Sequence, residues 1–486
     1  MRSAPIWPCM SVTLQDYVWI CQAGGVHKGF FSQGLHSAEN SFHIGCSLCM
    51  RQKSTERHPH HPPQNHAAPG TLHQILKLIG PGFVTGASDD DPSGIGTYAV
   101  AGASFGFATL WTALFTFPLM AAVQFMCAKI GMVTGEGLAG VLRRHYRPKI
   151  LYAAVCLLII ANTINAGADI GAIAAAINLL APISPRLLIV PISILIVAVQ
   201  IWGSYRLIAN AFKWLALSLV AYIGSAFFAH PNPREVLQAT FVPTFKLDSQ
   251  FLSVLVAIFG TTISPYLFFW QANQEVEEEI AKGKRTLEER KGASTAELRY
   301  AAWDVNIGML FSNIIMYFII LATGATLFTA GKTHIESAAD AAQALQPLVG
   351  HFATTLLGIA LIAAGMLAVP ILTGSSAYAV AEAFGWEHGL DEKPRRASRF
   401  YILIAVSTLV GMFINFTRVN AITALFWTSV LNGFLAPPLL VLIMIISNNR
   451  TIMGDHVNGR SVNALGWTAT LVMFAAAIAL VFTWNQ

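Results

Sequence analysis

Long apolar segments, separated by mostly short polar connections, recur along the chain from Leu76 onward. A helix needs about 20 predominantly apolar residues to cross the hydrocarbon core of a bilayer. The pattern therefore predicts an all-α integral membrane protein with about eleven transmembrane helices. The predicted spans, numbered 1 to 11 in chain order, cover residues 76–103, 107–132, 151–180, 186–203, 207–229, 250–271, 301–329, 352–385, 400–417, 420–447 and 463–484.

Two of the predicted spans are interrupted by Pro, Gly and polar residues. They are span 1, around Asp91-Pro92, and span 6, around Ser264-Pro265. Span 1 is the first of spans 1–5, and span 6 is the first of spans 6–10. Because each group contains an odd number of spans, the two groups have opposite orientations in the membrane. The arrangement predicts a LeuT-type 5+5 inverted repeat, with the substrate site at broken helices 1 and 6.

The composition supports a membrane protein. Of the 486 residues, 55% are hydrophobic and only 11% are charged, whereas a soluble protein carries about 25% charged residues. A large core cannot explain the difference, because soluble cores stop growing at about 250–300 residues. The net charge of +5 is small and gives no reason to expect nucleic acid as a partner.

Residues 1–72 differ from the transporter domain predicted over 73–486. They contain no sustained apolar run and no signal-peptide pattern, and we expect a disordered extension. Cys46 and Cys49 form a C-x-x-C motif with His43 nearby, so one interpretation is a metal-binding or metal-sensing tail. The other is an extension without function, such as an overlong gene model would add.

The distribution of Lys and Arg predicts the orientation. With the N-terminus in the cytoplasm, these residues number about 17 on the inner side and about 5 on the outer side. The sequence therefore predicts a cytoplasmic N-terminus, a C-terminus on the outer side, and a plasma or inner membrane location.

Three carboxylates, those of Asp89, Asp90 and Asp91, lie within the apolar span 1. Each costs about 2.5–3.5 kcal/mol at mid-membrane, so they should face water or a cation. Pro92 removes a helical hydrogen bond and leaves carbonyls near Ser88 for an ion. We interpret Asp91 as the main charge of a cation site. Asp89 and Asp90 either support that site or belong to a solvated helix cap.

The break in span 6 offers neutral oxygens. Pro265 unties a helical turn, which leaves carbonyls and the hydroxyls of Thr261 and Ser264 available. Proline kinks and hydroxyl side chains are ordinary in membrane helices. This break is weak evidence for a substrate site on its own, and it gains weight because it matches the break in span 1.

These residues resemble the natural resistance-associated macrophage protein (Nramp) family of divalent metal transporters. The similarity extends from about Gly80 to about Leu440. Besides the two breaks, it includes the stretches Lys129–Ala139, Asp169–Leu180 and Gly358–Gly385, the first of which is similar to the family's L-G-x-V-T-G-x-x-L-A.

The resemblance implies a metal site made by a D-P-G-N motif in span 1 and an A-x-x-M-P-H motif in span 6. In this sequence Asp91 matches the Asp, and Gly94 stands where Asn is usual. Thr261 matches the carbonyl donor, and Ser264 replaces the Met. In span 10, Thr428 falls where the family has a Gln ligand.

The departures from the family pattern concern the ion and the proton. Without the Met and Asn, the site offers only oxygen ligands, which suit Mg²⁺, Ca²⁺ and Mn²⁺, and it is roomy enough for a partly hydrated Mg²⁺. Similar changes mark the Nramp-related magnesium transporter branch. Tyr266 replaces the His associated with proton coupling and does not exchange protons readily at neutral pH. Asp169, at the place of a proton-pathway Glu, could still relay protons.

The sequence therefore predicts uptake of Mg²⁺ or Mn²⁺ by alternating access, without proton coupling. The alternatives are a proton-coupled Mn²⁺/Fe²⁺ symporter of the standard Nramp type and a cation-coupled symporter of an organic solute. No H-E-x-x-H motif and no arrangement of a nucleophile with a base favours an enzyme. We expect a monomer in the lipid bilayer, with divalent metal ions as substrate and no cofactor.

Charged residues near the ends of spans have simpler interpretations. The run Glu275, Glu277, Glu278 and Glu279 follows span 6. It is either an acidic vestibule or a solvated helix end paired with Lys282, Lys284 and Arg285. Lys213 and Asp304 are predicted to extend to the membrane interface.

Overall fold

The computed structural model describes residues 80–203, 217–335, 337–346, 350–390, 392–416 and 419–483. The predictions for residues 1–72, including His43, Cys46 and Cys49, and for Lys213 lie outside these ranges. Within the described ranges the regular structure is entirely helical, and nine helices are long and apolar enough to cross a membrane. The all-α prediction is confirmed.

These nine correspond to predicted spans 2–4 and 6–11. The two halves of span 6 are counted together as one segment, Ser249–Ala281. Span 1 is two shorter helices, and span 5 is described only from residue 217 onward. The helices are α1 (Pro81–Asp89), α2 (Pro92–Phe105), α3 (Trp111–Thr134), α4 (Leu138–His145), α5 (Pro148–Leu180), α6 (Pro185–Trp202), α7 (Ala221–Phe228), α8 (Pro233–Phe241), α9 (Ser249–Thr262), α10 (Pro265–Ala281), α11 (Leu287–Arg290), α12 (Thr295–Thr323), α13 (Ala338–Ala342), α14 (Ala353–Phe384), α15 (Ser398–Phe413), α16 (Ala421–Asn448), α17 (Arg450–Met453) and α18 (Arg460–Thr483).

The two breaks lie where the sequence predicts them. In span 1, α1 ends at Asp89 and α2 begins at Pro92; in span 6, α9 ends at Thr262 and α10 begins at Pro265. Proline suits the first position of a helix, because its missing amide hydrogen would have no partner there. Each break therefore ends one helix and starts the next without a further unpaired donor.

Helix α1 packs against α12 at backbone contact. A Cβ atom added to Gly86 would lie 2.2 Å from the carbonyl carbon of Gly308, and one added to Gly82 would lie 2.6 Å from the amide nitrogen of Val305. Only glycine allows such an approach. The first half of the broken span 1 thus lies closely packed against α12.

Gly86→Ala is expected to destabilise the protein by about 1–3 kcal/mol, because the added methyl group meets backbone, which cannot rotate away. Thermal unfolding in detergent measures this. Gly459→Ala is the matched control, since no atom lies within 4 Å of a Cβ added there. Equal unfolding temperatures for the two variants would contradict the close packing.

Asp304 does not extend to the membrane interface, so that prediction is wrong. It is buried, and its carboxylate accepts hydrogen bonds from the amides of Gly80, at 3.0 Å, and Gly82, at 2.6 Å. The first amides of a helix lack partners within the helix. Asp304, on the neighbouring helix α12, supplies a hydrogen-bond acceptor for these amides of α1.

Candidate metal site

Asp91 lies between the halves of span 1 and is buried, with 1% of its surface exposed. Its Oδ1 accepts the amide of Gly94 at 2.7 Å, so the side chain caps α2. Its Oδ2 accepts the side-chain amide of Asn165 at 3.2 Å and faces the Tyr266 hydroxyl at 3.5 Å. Asp91 is therefore a buried helix cap.

The two breaks face each other at this carboxylate. The hydroxyl of Tyr266, in the first turn of α10, donates to the carbonyl of Ser88 in α1 at 3.0 Å. On the other side of Asp91, a Cβ added to Gly94 would lie 3.2 Å from Thr261 Oγ1, 3.3 Å from the Asp89 carbonyl oxygen and 3.4 Å from Asp91 Oδ1. Three oxygens of different kinds thus border the space that a side chain at position 94 would fill.

The other predicted ligands are already hydrogen bonded. The hydroxyl of Ser264 is 2.6 Å from the Thr261 carbonyl, and that of Thr428 is 2.7 Å from the carbonyl of Leu425. The carbonyl of Ser88 accepts the Tyr266 hydroxyl. Gly94 contributes its amide to Asp91. Hydroxyl and carbonyl oxygens each have two lone pairs, so one hydrogen bond does not by itself prevent any of them from binding a cation.

Asp89 and Asp90 are buried beside α12. The hydroxyl of Ser312 lies 2.6 Å from Asp89 Oδ2 and 3.2 Å from Asp90 Oδ1, so one hydrogen serves two carboxylates. Asp89 Oδ1 and Asp90 Oδ2 make no hydrogen bond. Together with Asp91 and Asp169, four buried carboxylates surround the break, and none forms an ion pair in the part of the chain that the structure describes.

This arrangement concentrates negative potential where few hydrogen bonds compensate it, which favours a cation. Across the described ranges, no three His, Cys, Asp or Glu side chains converge on one point. A cation here would therefore meet one or two carboxylates together with neutral oxygens and water. Mg²⁺ is bound in this way in proteins, because it gives up its waters reluctantly.

Two residues that contact the aspartates were not predicted. Asn165, in α5, donates to Asp91, and Ser312, in α12, donates toward Asp89 and Asp90. A signal existed for Asn165, which precedes Asp169 by one helical turn and so shares its helix face. None existed for Ser312, because hydroxyl side chains are common in membrane helices.

The sequence model of the family described as natural resistance-associated macrophage protein-like, or Nramp, matches residues 82–483. The chain belongs to the Nramp family. It is therefore an integral membrane transporter with divalent metal ions as its class of substrate. This confirms the family resemblance drawn from the two breaks.

Solved structures agree on the fold. An Eremococcus coleocola manganese transporter, in complex with an aromatic bis-isothiourea substituted compound, has a TM-score of 0.65 at 20% identity, covering 86% of this chain and 88% of that one. Mhp1, a nucleobase-cation-symport-1 family transporter, has a TM-score of 0.53 at 15% identity, covering 84% and 93%. MhsT in complex with L-phenylalanine has a TM-score of 0.53 at 15% identity, covering 82% and 98%. The predicted LeuT-type fold of this Nramp protein is confirmed.

The glutamates after the break in span 6 are mostly paired. Glu275 accepts the side-chain amide of Gln271 at 2.8 Å, and Glu279 binds Lys282 at 3.0 Å and also Lys284. Burial alone would lower the pKa of Lys282, but its hydrogen bond to Glu279 raises it. These lysine partners are the ones expected for a helix end. Glu275 and Glu279 are nonetheless buried, so the run is less solvated than that interpretation held.

Proposed function

We propose that this Nramp protein carries hard divalent cations, Mg²⁺ first and Mn²⁺ second, into the cell by alternating access. The observation that carries the proposal is the buried carboxylate of Asp91, which lies where the two breaks meet and has the hydroxyl of Thr261 nearby. Oxygen ligands suit hard ions, and Ser264 leaves no thioether to favour soft ones. No three acidic, His or Cys side chains converge in the described part of the chain, so an ion bound here would keep several of its waters, as Mg²⁺ does in proteins.

We propose that the membrane potential, without protons, drives uptake. A potential of 100 mV contributes about 4.6 kcal/mol for a doubly charged ion. Tyr266 is buried and donates to the Ser88 carbonyl, and a phenol with an ordinary pKa near 10 stays protonated at neutral pH. The protein would work as a monomer with its N-terminus in the cytoplasm.

Uptake into proteoliposomes tests the proposal. With a clamped inside-negative potential, we expect Mg²⁺ and Mn²⁺ to enter faster as the potential grows, with Cd²⁺ entering poorly and the internal pH constant. Liposomes without protein provide the background. Strong preference for Cd²⁺ would disprove the hard-ion site, and acidification that follows metal entry would disprove the uncoupled mechanism.

A proton-coupled Mn²⁺/Fe²⁺ symporter is the second candidate. The observation in its favour is Asp169, whose Oδ1 lies 3.1 Å from the hydroxyl of Ser93, a residue two positions after Asp91. The internal pH record decides between the two. A symporter of an organic solute is disfavoured, because Asp91 places negative charge where a substrate carboxylate would bind at a half-helix N-terminus.

A further inference from the structure

Ser93 connects three helices behind the Asp91 carboxylate. Its hydroxyl, in the first turn of α2, is hydrogen bonded to Asn165 Oδ1 and lies 3.1 Å from Asp169 Oδ1, both on α5. It also lies 3.4 Å from the hydroxyl of Thr428 on α16. All four side chains are buried. The start of α2 is thereby tied to α5 and α16 through one serine.

The serine fixes which way the amide of Asn165 points. The carbonyl oxygen of the amide accepts from Ser93, so its nitrogen must face the other way, toward Asp91 Oδ2 at 3.2 Å. A reversed amide would set oxygen against the carboxylate and nitrogen against the serine hydroxyl. Asn165 has 1% of its surface exposed, so bulk water cannot replace either partner.

The two oxygens of Asp91 thus have different surroundings. Oδ2 accepts the Asn165 amide at 3.2 Å and lies 3.5 Å from the Tyr266 hydroxyl, which donates to the Ser88 carbonyl. Oδ1 accepts the Gly94 amide and lies on the side of Gly94, as does Thr261 Oγ1. Oδ1 is therefore the oxygen that faces the hydroxyl of the second break.

We propose that Asn165 is a positioning residue for transport. It holds Oδ2 so that Oδ1 faces the Thr261 side, from which the cation would bind, and Ser93 sets the orientation of the amide. This inference rests on the proposed role of Asp91 and adds to it a residue from α5, outside both breaks. The affinity for the ion then depends on a side chain that does not touch the ion.

Asn165→Leu tests the inference, because leucine has similar size and no donor. We expect the Mg²⁺ concentration for half-maximal uptake to rise about tenfold, while uptake at saturating Mg²⁺ stays within about twofold of the wild type. The matched control is Asn162→Leu on the same helix. Asn162 is also buried, but it donates to the carbonyl of Leu372 and the hydroxyl of Ser376, both at 3.0 Å. The control should keep the wild-type half-saturation.

A double-mutant cycle separates positioning from packing. Ser93→Ala should raise the half-saturation about threefold, and the double variant with Asn165→Leu about tenfold, not the product of the two effects, because both act through one amide. Fully independent effects, an unchanged half-saturation in Asn165→Leu, or an equal rise in Asn162→Leu would each overturn the inference. If Asp91→Asn itself left Mg²⁺ uptake intact, the proposed function would have failed instead.

Discussion

Asp91→Asn is expected to lower uptake of Mg²⁺ and Mn²⁺ by at least about 100-fold. The change removes the negative charge but keeps an oxygen that can accept the Gly94 amide, and Asn caps helices as well as Asp does. The fold should therefore persist while the attraction for a doubly charged ion is lost. A 100-fold effect corresponds to about 3 kcal/mol. This is small compared with the interaction energy between two opposite charges in a buried site.

The control is Asp248→Asn. Asp248 caps α9 by accepting the Phe251 amide at 2.8 Å, but it is exposed. The two substitutions thus remove the same charge from the same kind of helix cap. Initial rates of uptake into proteoliposomes, at matched protein content, provide the comparison. Wild-type rates in Asp91→Asn would show that the carboxylate does not hold the cargo.

Gly94→Asn is expected to lower Mg²⁺ uptake at least tenfold and Mn²⁺ uptake by a smaller factor. The new side chain would begin 3.2 Å from Thr261 Oγ1 and 3.4 Å from Asp91 Oδ1 and fill the space between them. A narrower site forces the ion to give up water, which Mg²⁺ does reluctantly. For Mn²⁺, which gives up water more easily, the new amide oxygen partly replaces the water that is lost. Competition between the two ions in one uptake assay measures the ratio.

Gly96→Ala is the matched control for this change. A Cβ there would lie 3.3 Å from Leu425 Cδ1, a side-chain atom that can move, and would not approach the three oxygens. We expect its ratio of Mg²⁺ to Mn²⁺ uptake to equal that of the wild type. A ratio in Gly94→Asn that also stays unchanged would mean that the space beside Gly94 does not select the ion.

The sequence predicts best what depends on neighbours in the chain. Pro92 and Pro265 mark the breaks because a proline cannot continue the helix before it, whatever packs around it. Asp91 is recognisable because a carboxylate in an apolar run needs a compensating partner. Membrane spans follow from length and hydropathy in the same local way.

Contacts between distant segments were beyond that reasoning. Asn165 and Ser312 gain their roles only when α5 and α12 pack beside the break, and their residue types are ordinary in membrane helices. Asp304 was misjudged for the same reason, since the amides that it accepts lie more than 220 positions away. The sequence also gives no sign that Asp89 and Asp90 share the hydroxyl of Ser312.

The cap that Asp304 places on α1 limits how the first half of span 1 can move. If α1 swung alone, the amides of Gly80 and Gly82 would lose their acceptor, and the glycine contact with Gly308 would separate. Each buried donor left without a partner costs about 1–3 kcal/mol. A movement that keeps α1 together with α12 avoids both losses.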